Sequence, residues 1–517
     1  MARAMRATAP AGSTAHRGFI TVSVMLATIM QALDTTIANV ALPHMQGTMG
    51  ATYEQIAWVL TSYIVAAAIC MPLTGFVAAR FGRRRLFLWS VVGFTITSML
   101  CGAAQNLEQI VLFRLLQGVF GASLVPLSQA VLLDAYPREQ HGSAMALWGL
   151  GVMVGPILGP TLGGWLTEYY DWRWVFYINL PFGILAWLGI TAYVHETPLQ
   201  HGRRFDWFGF AMLSLAIGAF QMMLDRGHTL DWFASTEIAV EAILAGAGLY
   251  LFVAHMLTHD HPFLEPQLFR DRNFVVGLLF IFVVGMILLT TMTLLPPFLQ
   301  NLLGYPVVDV GVLLAPRGVG TMAAMLFVGR LSGRVDVRWQ LLAGLALTAL
   351  SQWEMTRFNL DIDGWDIVRT GIVQGFGLGF LFVPLSTVSF STLAPRLRNE
   401  GTALYSLIRN IGMSIGVSVV ITMLARGTQS SHAALAQFIH PFSLPLRAAV
   451  DAGALDPSTP QGLALIEAEV ARQAATLAYL QDFRLMMWVT VAAMPLIVLL
   501  RPAKTAPGAP GVAAAAE

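Results

Sequence analysis

Apolar runs of about twenty residues, each long enough to carry a helix across a hydrocarbon core roughly 30 Å thick, recur along almost the whole chain. The pattern predicts fourteen membrane spans, the first six at approximately 19–43, 54–79, 86–104, 109–133, 145–166 and 174–194. Two follow at 206–224 and 236–257, and a second group at 274–299, 308–331, 339–357, 367–390, 401–425 and 483–501. An even number puts both termini on one side.

The short connections between spans decide which side. Sorted alternately, one set collects the N-terminus with Arg80, Arg83, Arg84, Arg85, Arg138, Arg203, Arg204, Arg270, Arg272, Arg330, Arg334, Arg338, Arg396, Arg398, Arg501 and Lys504. The opposite set holds only Arg173, Arg226, Arg357 and Arg369. Positive residues stay on the cytoplasmic side, so both termini are expected there. An error of one span would scramble the bias. The run from Phe19 to Pro43 follows Arg3, Arg6 and Arg17 as a signal peptide would, but it is too long and contains Asp34, so it reads as a retained first span. Residues 427–482 form a long outer loop with Pro441, Pro445, Pro457 and a polar stretch, Ile466 to Asp482, of helical potential.

Composition makes the membrane the solvent. Apolar residues are 56% of the 517 and charged residues only 11%, too few to build a soluble surface. The net charge of +1 gives no footprint for nucleic acid. Cys70 and Cys101 fall inside apolar runs without metal-ligand spacing, so neither a disulfide nor a metal is expected, and no cofactor beyond a proton gradient.

A faint internal echo organises the spans. Gly75 to Arg84 follows the second span, and Gly329 to Arg338, equally basic, follows the second span of the later group. Such repetition fits a duplicated transporter. The expected architecture is an all-α polytopic membrane protein: a cytoplasmic 1–18, a six-helix bundle at 19–194 and an extra linker pair at 206–257. A second six-helix bundle follows at 274–501 with its loop 427–482, then a disordered cytoplasmic tail at 502–517.

Asp34 most needs explaining, because an acid deep in a span costs about 2.5–3.5 kcal/mol on insertion scales and usually marks a proton or ion path. Gln31, Thr35, Thr36 and Asn39 give its helix a polar stripe. Arg114 lies about five residues into the fourth span, roughly 8 Å below its rim, at a depth comparable to Asp34. Opposite charges at matching depth are expected to pair, for architecture or for coupling. Asp309 and Glu54 stand next in line as coupling acids. Arg317 and Arg409 sit near enough to span ends to snorkel.

Gly151, Gly155, Gly159 and Gly163 form one bare helical face in the fifth span, with Gly164 beside them and Pro156 and Pro160 favouring a kink. The turn carrying Gly75, Arg80, Gly82, Arg83 and Arg84 reads as a cytoplasmic gate, its charges able to bond helix ends and headgroups. Gly412-Met-Ser414-Ile-Gly416 spells a nucleophile elbow inside an apolar helix, where packing explains it better. Gln31, Asn39, Trp58, Tyr63, Phe380 and Tyr405 are candidates to line a substrate cavity.

These residues resemble the major facilitator superfamily, and within it the fourteen-helix drug:proton antiporters of the EmrB/QacA type. Leu33 to Pro43 is similar to that family's first-helix motif, whose acid is implicated in proton coupling. Arg114-Leu-Leu-Gln117-Gly118 resembles its fourth-helix motif, the 151–164 stretch its fifth-helix antiporter motif, and Asp171 to Pro181 its loop between helices five and six. Leu224 to Phe233 resembles an outer loop of the EmrB branch. One departure is Ala79, where many members carry an acid in the basic turn.

The resemblance implies a proton-coupled exporter of small amphipathic toxic compounds, rocking two bundles about a midplane site, in a bacterial inner membrane. It also implies a periplasmic adaptor of the membrane-fusion type and an outer-membrane channel. Import by symport is the alternative, and a membrane-embedded enzyme is a second, for which no catalytic cluster is visible.

Overall fold

In a bilayer every backbone polar group must find its partner inside the protein, which leaves helices as the solution for runs of this kind. The computed structural model describes residues 14–197, 205–331, 334–440 and 457–500, with 199, 443, 446 and 447. The N-terminal 1–13, Arg203, Arg204 and the tail after residue 500 lie outside these. Regular structure among the described residues is helical throughout.

The first bundle comprises α1 (Thr14–Met49), α2 (Tyr53–Cys70), α3 (Leu73–Phe81), α4 (Arg83–Ala103), α5 (Leu107–Gly121), α6 (Leu124–Ala135), α7 (His141–Tyr169), α8 (Trp174–Tyr177) and α9 (Asn179–Tyr193). Next come α10 (Trp207–Arg226) and α11 (Thr236–Thr258). The second bundle is α12 (Arg272–Pro297), α13 (Val307–Leu331), α14 (Val337–Met355), α15 (Gly364–Ser391), α16 (Arg398–Ala436) and α17 (Pro460–Ala493).

Twelve of the described helical stretches are long and apolar enough to cross a membrane, and α2 with α3 makes a thirteenth if that bent pair is one span. The pair bends by 56° beside Pro72, which lacks the N–H that would continue the ladder. The remaining predicted span is α14, 19 residues long. Gln340, Ser351 and Gln352 lower its hydropathy but are buried, because α14 packs between α15 and α17.

Caps set several helix starts. Thr52 and Gln55 form a reciprocal capping box before α2, and Asn106 accepts from the backbone of Gln109 at 2.9 Å before α5. Small residues then let helices close together: a Cβ on Gly118 of α5 would stand 2.5 Å from the Tyr63 carbonyl of α2.

The bundles meet where α7 packs on α13 and α15, and where α3 and α6 pack on the start of α16. The linker helix α10 touches both. Thr61 of α2 donates to the Asp225 carboxylate. Toward α16, Gln221 Nε2 donates to Ser414 Oγ at 2.9 Å and Ser418 Oγ to the Leu224 carbonyl at 2.8 Å, and in the turn after α10 Trp232 Nε1 donates to Thr422 Oγ1 at 3.0 Å.

The structure revises the predicted loop at 427–482. Helix α16 runs on to Ala436 for 39 residues, about 58 Å at 1.5 Å per residue, and α17 already begins at Pro460. The two extensions pair as a hairpin, with Gly427 against Ala478 and His432 Nε2 at 2.8 Å from Glu467 Oε1. The helical potential of Ile466 to Asp482 is realised within α17, where Ile466, Val470, Ala474 and Ala478 repeat every fourth residue and bury one face while Glu467, Glu469 and Arg472 stay outside it. Pro441 and Pro445 lie outside the described residues.

Candidate functional site

Four helices converge on Asp34. Its carboxylate is 0% exposed and accepts three bonds: from Arg114 Nη1 at 2.6 Å, Gln117 Nε2 at 2.8 Å and Asn179 Nδ2 at 3.0 Å. Arg114, 1% exposed, also donates from Nε to the Val59 carbonyl at 3.1 Å and from Nη1 to Gln117 Oε1 at 2.8 Å. The Tyr63 ring lies 4.3 Å from the guanidinium, a cation–π contact, and its hydroxyl accepts from Gln31 at 3.2 Å. The charge is thereby neutralised inside the protein, the condition for burying it. A proton reaching Asp34 would have to displace at least one of these donors, so protonation and helix arrangement are linked.

Sequence reasoning missed Gln117 and Asn179 as functional residues. Gln117 had a signal, lying three residues past Arg114 on the same helical face. Asn179 opens α9, and its signal was its place in the Asp171 to Pro181 stretch that resembles the family's loop between helices five and six.

The glycine face of α7 packs beside this network. A Cβ on Gly155 would meet the Ala32 carbonyl oxygen at 2.3 Å, one on Gly159 the Thr36 Oγ1 at 2.1 Å, and one on Gly163 the Ile37 Cγ1 at 2.7 Å. Thr36 Oγ1 donates to the Gly155 carbonyl at 3.0 Å. These partners flank Asp34 on α1. Gly151 has only ordinary contacts, from 3.5 Å to Met25, and Gly164 has nothing within 4 Å, so neither belongs to the tight seam. Pro156 and Pro160 stay inside the continuous helix.

At the basic turn, Gly82 has φ +99°, a conformation reserved in practice for glycine, and a Cβ there would strike the Glu196 carboxylate. Gly75 lies against Glu400 of α16, 2.5 Å from a built Cβ. Arg83 is buried and binds Asp134 of α6 at 2.6 Å. Asp134 also binds Arg398 of α16, so one carboxylate ties both bundles at this end. Asp134, which sequence reasoning missed, is the acid that holds the basic turn here. Arg84 bonds to the Thr191 carbonyl and through its N–H to Glu196 at 3.0 Å, while Arg80 lies 5.9 Å from the Phe81 ring.

The cavity candidates separate. Gln31 and Tyr63 join the Asp34 network. Asn39 is exposed and bonds its own helix, and Trp58 lies 5.7 Å from the Arg226 guanidinium. Phe380 packs 6.0 Å from Phe327. Tyr405 is 0% exposed and packed on Phe390, so it lines no open cavity in this state. The expectation that Arg317 and Arg409 snorkel also fails, since each is buried between helices. Asp309 and Glu54 are exposed. By contrast Asp482 of α17, read as the end of a loop, is 0% exposed, and neither carboxyl oxygen has a partner among the described residues.

The pattern of the Major Facilitator Superfamily matches residues 24–417. The chain belongs to this superfamily. Relatives of this superfamily member include the fatty acid resistance protein FarB of Neisseria gonorrhoeae, 39% identical over 83% of this chain and 85% of its own length. The multidrug export protein EmrB of Escherichia coli K12 is 37% identical over 82% and 83%. Among solved structures, the human organic anion transporter MFSD10 matches with a TM-score of 0.59 at 14% identity, covering 92% of this chain and 99% of its own. A bacterial homologue of the human lysosomal transporter Spinster, inward-facing and unoccupied, matches at 0.55 and 19%, covering 95% and 99%. These two establish the superfamily fold alone. A superfamily member of this kind is a multi-pass membrane transporter of small molecules and not an enzyme.

Proposed function

We propose that the protein exports amphipathic toxic compounds across a bacterial inner membrane in exchange for protons. The observation that carries this reading is the buried Asp34–Arg114 pair, seated on the tight glycine seam between α1 and α7. An acid held by three donors from other helices couples its protonation to their arrangement. Export, rather than import, is supported by the names of the relatives, EmrB and FarB. In this reading the chain crosses fourteen times with cytoplasmic termini, which would put the Asp134 bridge on the cytoplasmic side and the α16–α17 hairpin in the periplasm. There the hairpin would dock an adaptor of the membrane-fusion type that leads to an outer-membrane channel.

The test uses everted vesicles and a drug-susceptibility panel in a pump-deficient host. Substrate accumulation should discharge the proton gradient and resistance should rise. Import-type pH responses would overturn the direction. Deleting about 40 residues of the hairpin should abolish co-purification of an adaptor, and intact export with intact co-purification would end that part.

A further inference from the structure

Arg114 is fully neutralised, but the second bundle buries two arginines that are not. Arg317 of α13 is 5% exposed and Arg409 of α16 is 8% exposed. Arg317 makes one long hydrogen bond, from Nη2 to the Leu288 carbonyl of α12 at 3.4 Å. Arg409 has no hydrogen bond or ion pair with any described residue, and no carboxylate faces either guanidinium.

Both arginines meet α12 within one turn. Arg317 reaches Leu288, while the Arg409 backbone closes on Gly285, where a built Cβ would stand 2.4 Å from its carbonyl oxygen. A turn further on, Gln374 Nε2 of α15 donates to Thr291 Oγ1 at 3.1 Å and leaves its own Oε1 buried without a partner. Val284, Ile287 and Leu288 are buried on α12, and the buried polar side chains one turn from the two arginines, Thr321 beyond Arg317 and Tyr405 before Arg409, are neutral.

A buried cation without a counter-charge is expensive to maintain, and a guanidinium offers a planar fork of donors shaped for a carboxylate. Here two such forks lack a counter-charge among neutral buried side chains. We infer that Arg317 and Arg409 receive the anionic head of the substrate, which makes the transported class amphipathic organic anions, carboxylates foremost. This rests on the transporter reading above and narrows it. The same anion chemistry is offered by an acidic phospholipid headgroup, so the test separates the two.

The full chain in nanodiscs of neutral phosphatidylcholine is titrated with pyrenebutyrate, pyrenebutanol and the matching pyrenebutyl-trimethylammonium, followed by fluorescence anisotropy. Pyrenebutyrate should bind about tenfold or more tightly than the alcohol, and the ammonium most weakly. Arg317→Gln and Arg409→Gln should each reduce the carboxylate preference severalfold and leave pyrenebutanol binding unchanged, with Arg317→Lys retaining part of it. Equal affinity for acid and alcohol, tighter binding of the ammonium, or an undiminished preference in both glutamine variants overturns the inference. If the variants do not assemble, the wild-type preference decides. If phosphatidylglycerol in the disc erases the preference, the site belongs to lipid and the substrate assignment falls. Binding needs no gradient, so these outcomes are independent of the direction of transport measured in vesicles.

Discussion

Arg114 Nη1 stands 2.6 Å from a carboxylate oxygen of Asp34 although 80 residues separate them in sequence. The pair is stable only because Gln117, Asn179 and the Val59 carbonyl satisfy the atoms left over. Removing charge from one side, or from both, therefore has different consequences.

Asp34→Asn keeps the shape of the acid and discards its proton. The variant is expected to reach the membrane in normal amount and to bind substrate, with substrate-induced proton release down at least about tenfold. Release at the wild-type level would place the coupling acid elsewhere.

Arg114→Ala leaves a carboxylate buried without its cation, an expected cost of about 3–5 kcal/mol. Protein yield and thermal stability should fall sharply. Combining Arg114→Gln with Asp34→Asn should restore much of both, because no unpaired charge remains. Stability measurements on the two variants check this, and equal loss in both would make the pair mere packing.

The glycines of α7 are expected to divide. Alanine at Gly151 or Gly164 should leave export normal, since ordinary contact or open space receives the methyl. Gly155→Leu should remain in the membrane but leak protons, because its side chain pries α7 from α1 at Ala32. Proton conductance in vesicles without substrate reads the difference.

Asp134 serves two arginines from different bundles, so Asp134→Asn should loosen the ends of α6 and α16 together. Arg398→Gln should loosen only the contact between bundles and leave Arg83 seated. Spin-label distances across α6 and α16 should broaden in both variants. An unchanged distribution would mean the bridge holds nothing shut.

Asp482→Asn removes a carboxyl whose oxygens have no partner and retains its volume. Stability is expected to hold or rise by about 1 kcal/mol, read by thermal unfolding in detergent.

The helical runs were legible because a bilayer demands about twenty apolar residues per crossing, and the matching depths of Asp34 and Arg114 could be counted along two runs. Where polarity and helicity part company, the sequence misled. The hairpin of α16 and α17 was only half legible: Ile466 to Asp482 reads as helical, but the extension of α16 to Ala436 is polar enough to pass for the start of a loop. Arg409 looked able to snorkel because distance from a helix end says nothing about which way a side chain turns. The Asp134–Arg398 contact was invisible, since its partners are 264 residues apart and each closes an ordinary basic or acidic turn.

Helix α10 leads from the first bundle in sequence and holds both: Gln221 and the Leu224 carbonyl bond α16, while Asp225 accepts from Thr61 and Arg226 lies 5.7 Å from the Trp58 ring of α2. The linker therefore bridges the halves and belongs to neither. When the halves rock, one of its two seams must slide. A cross-link across the sliding seam would jam the cycle, while one across the other would be silent.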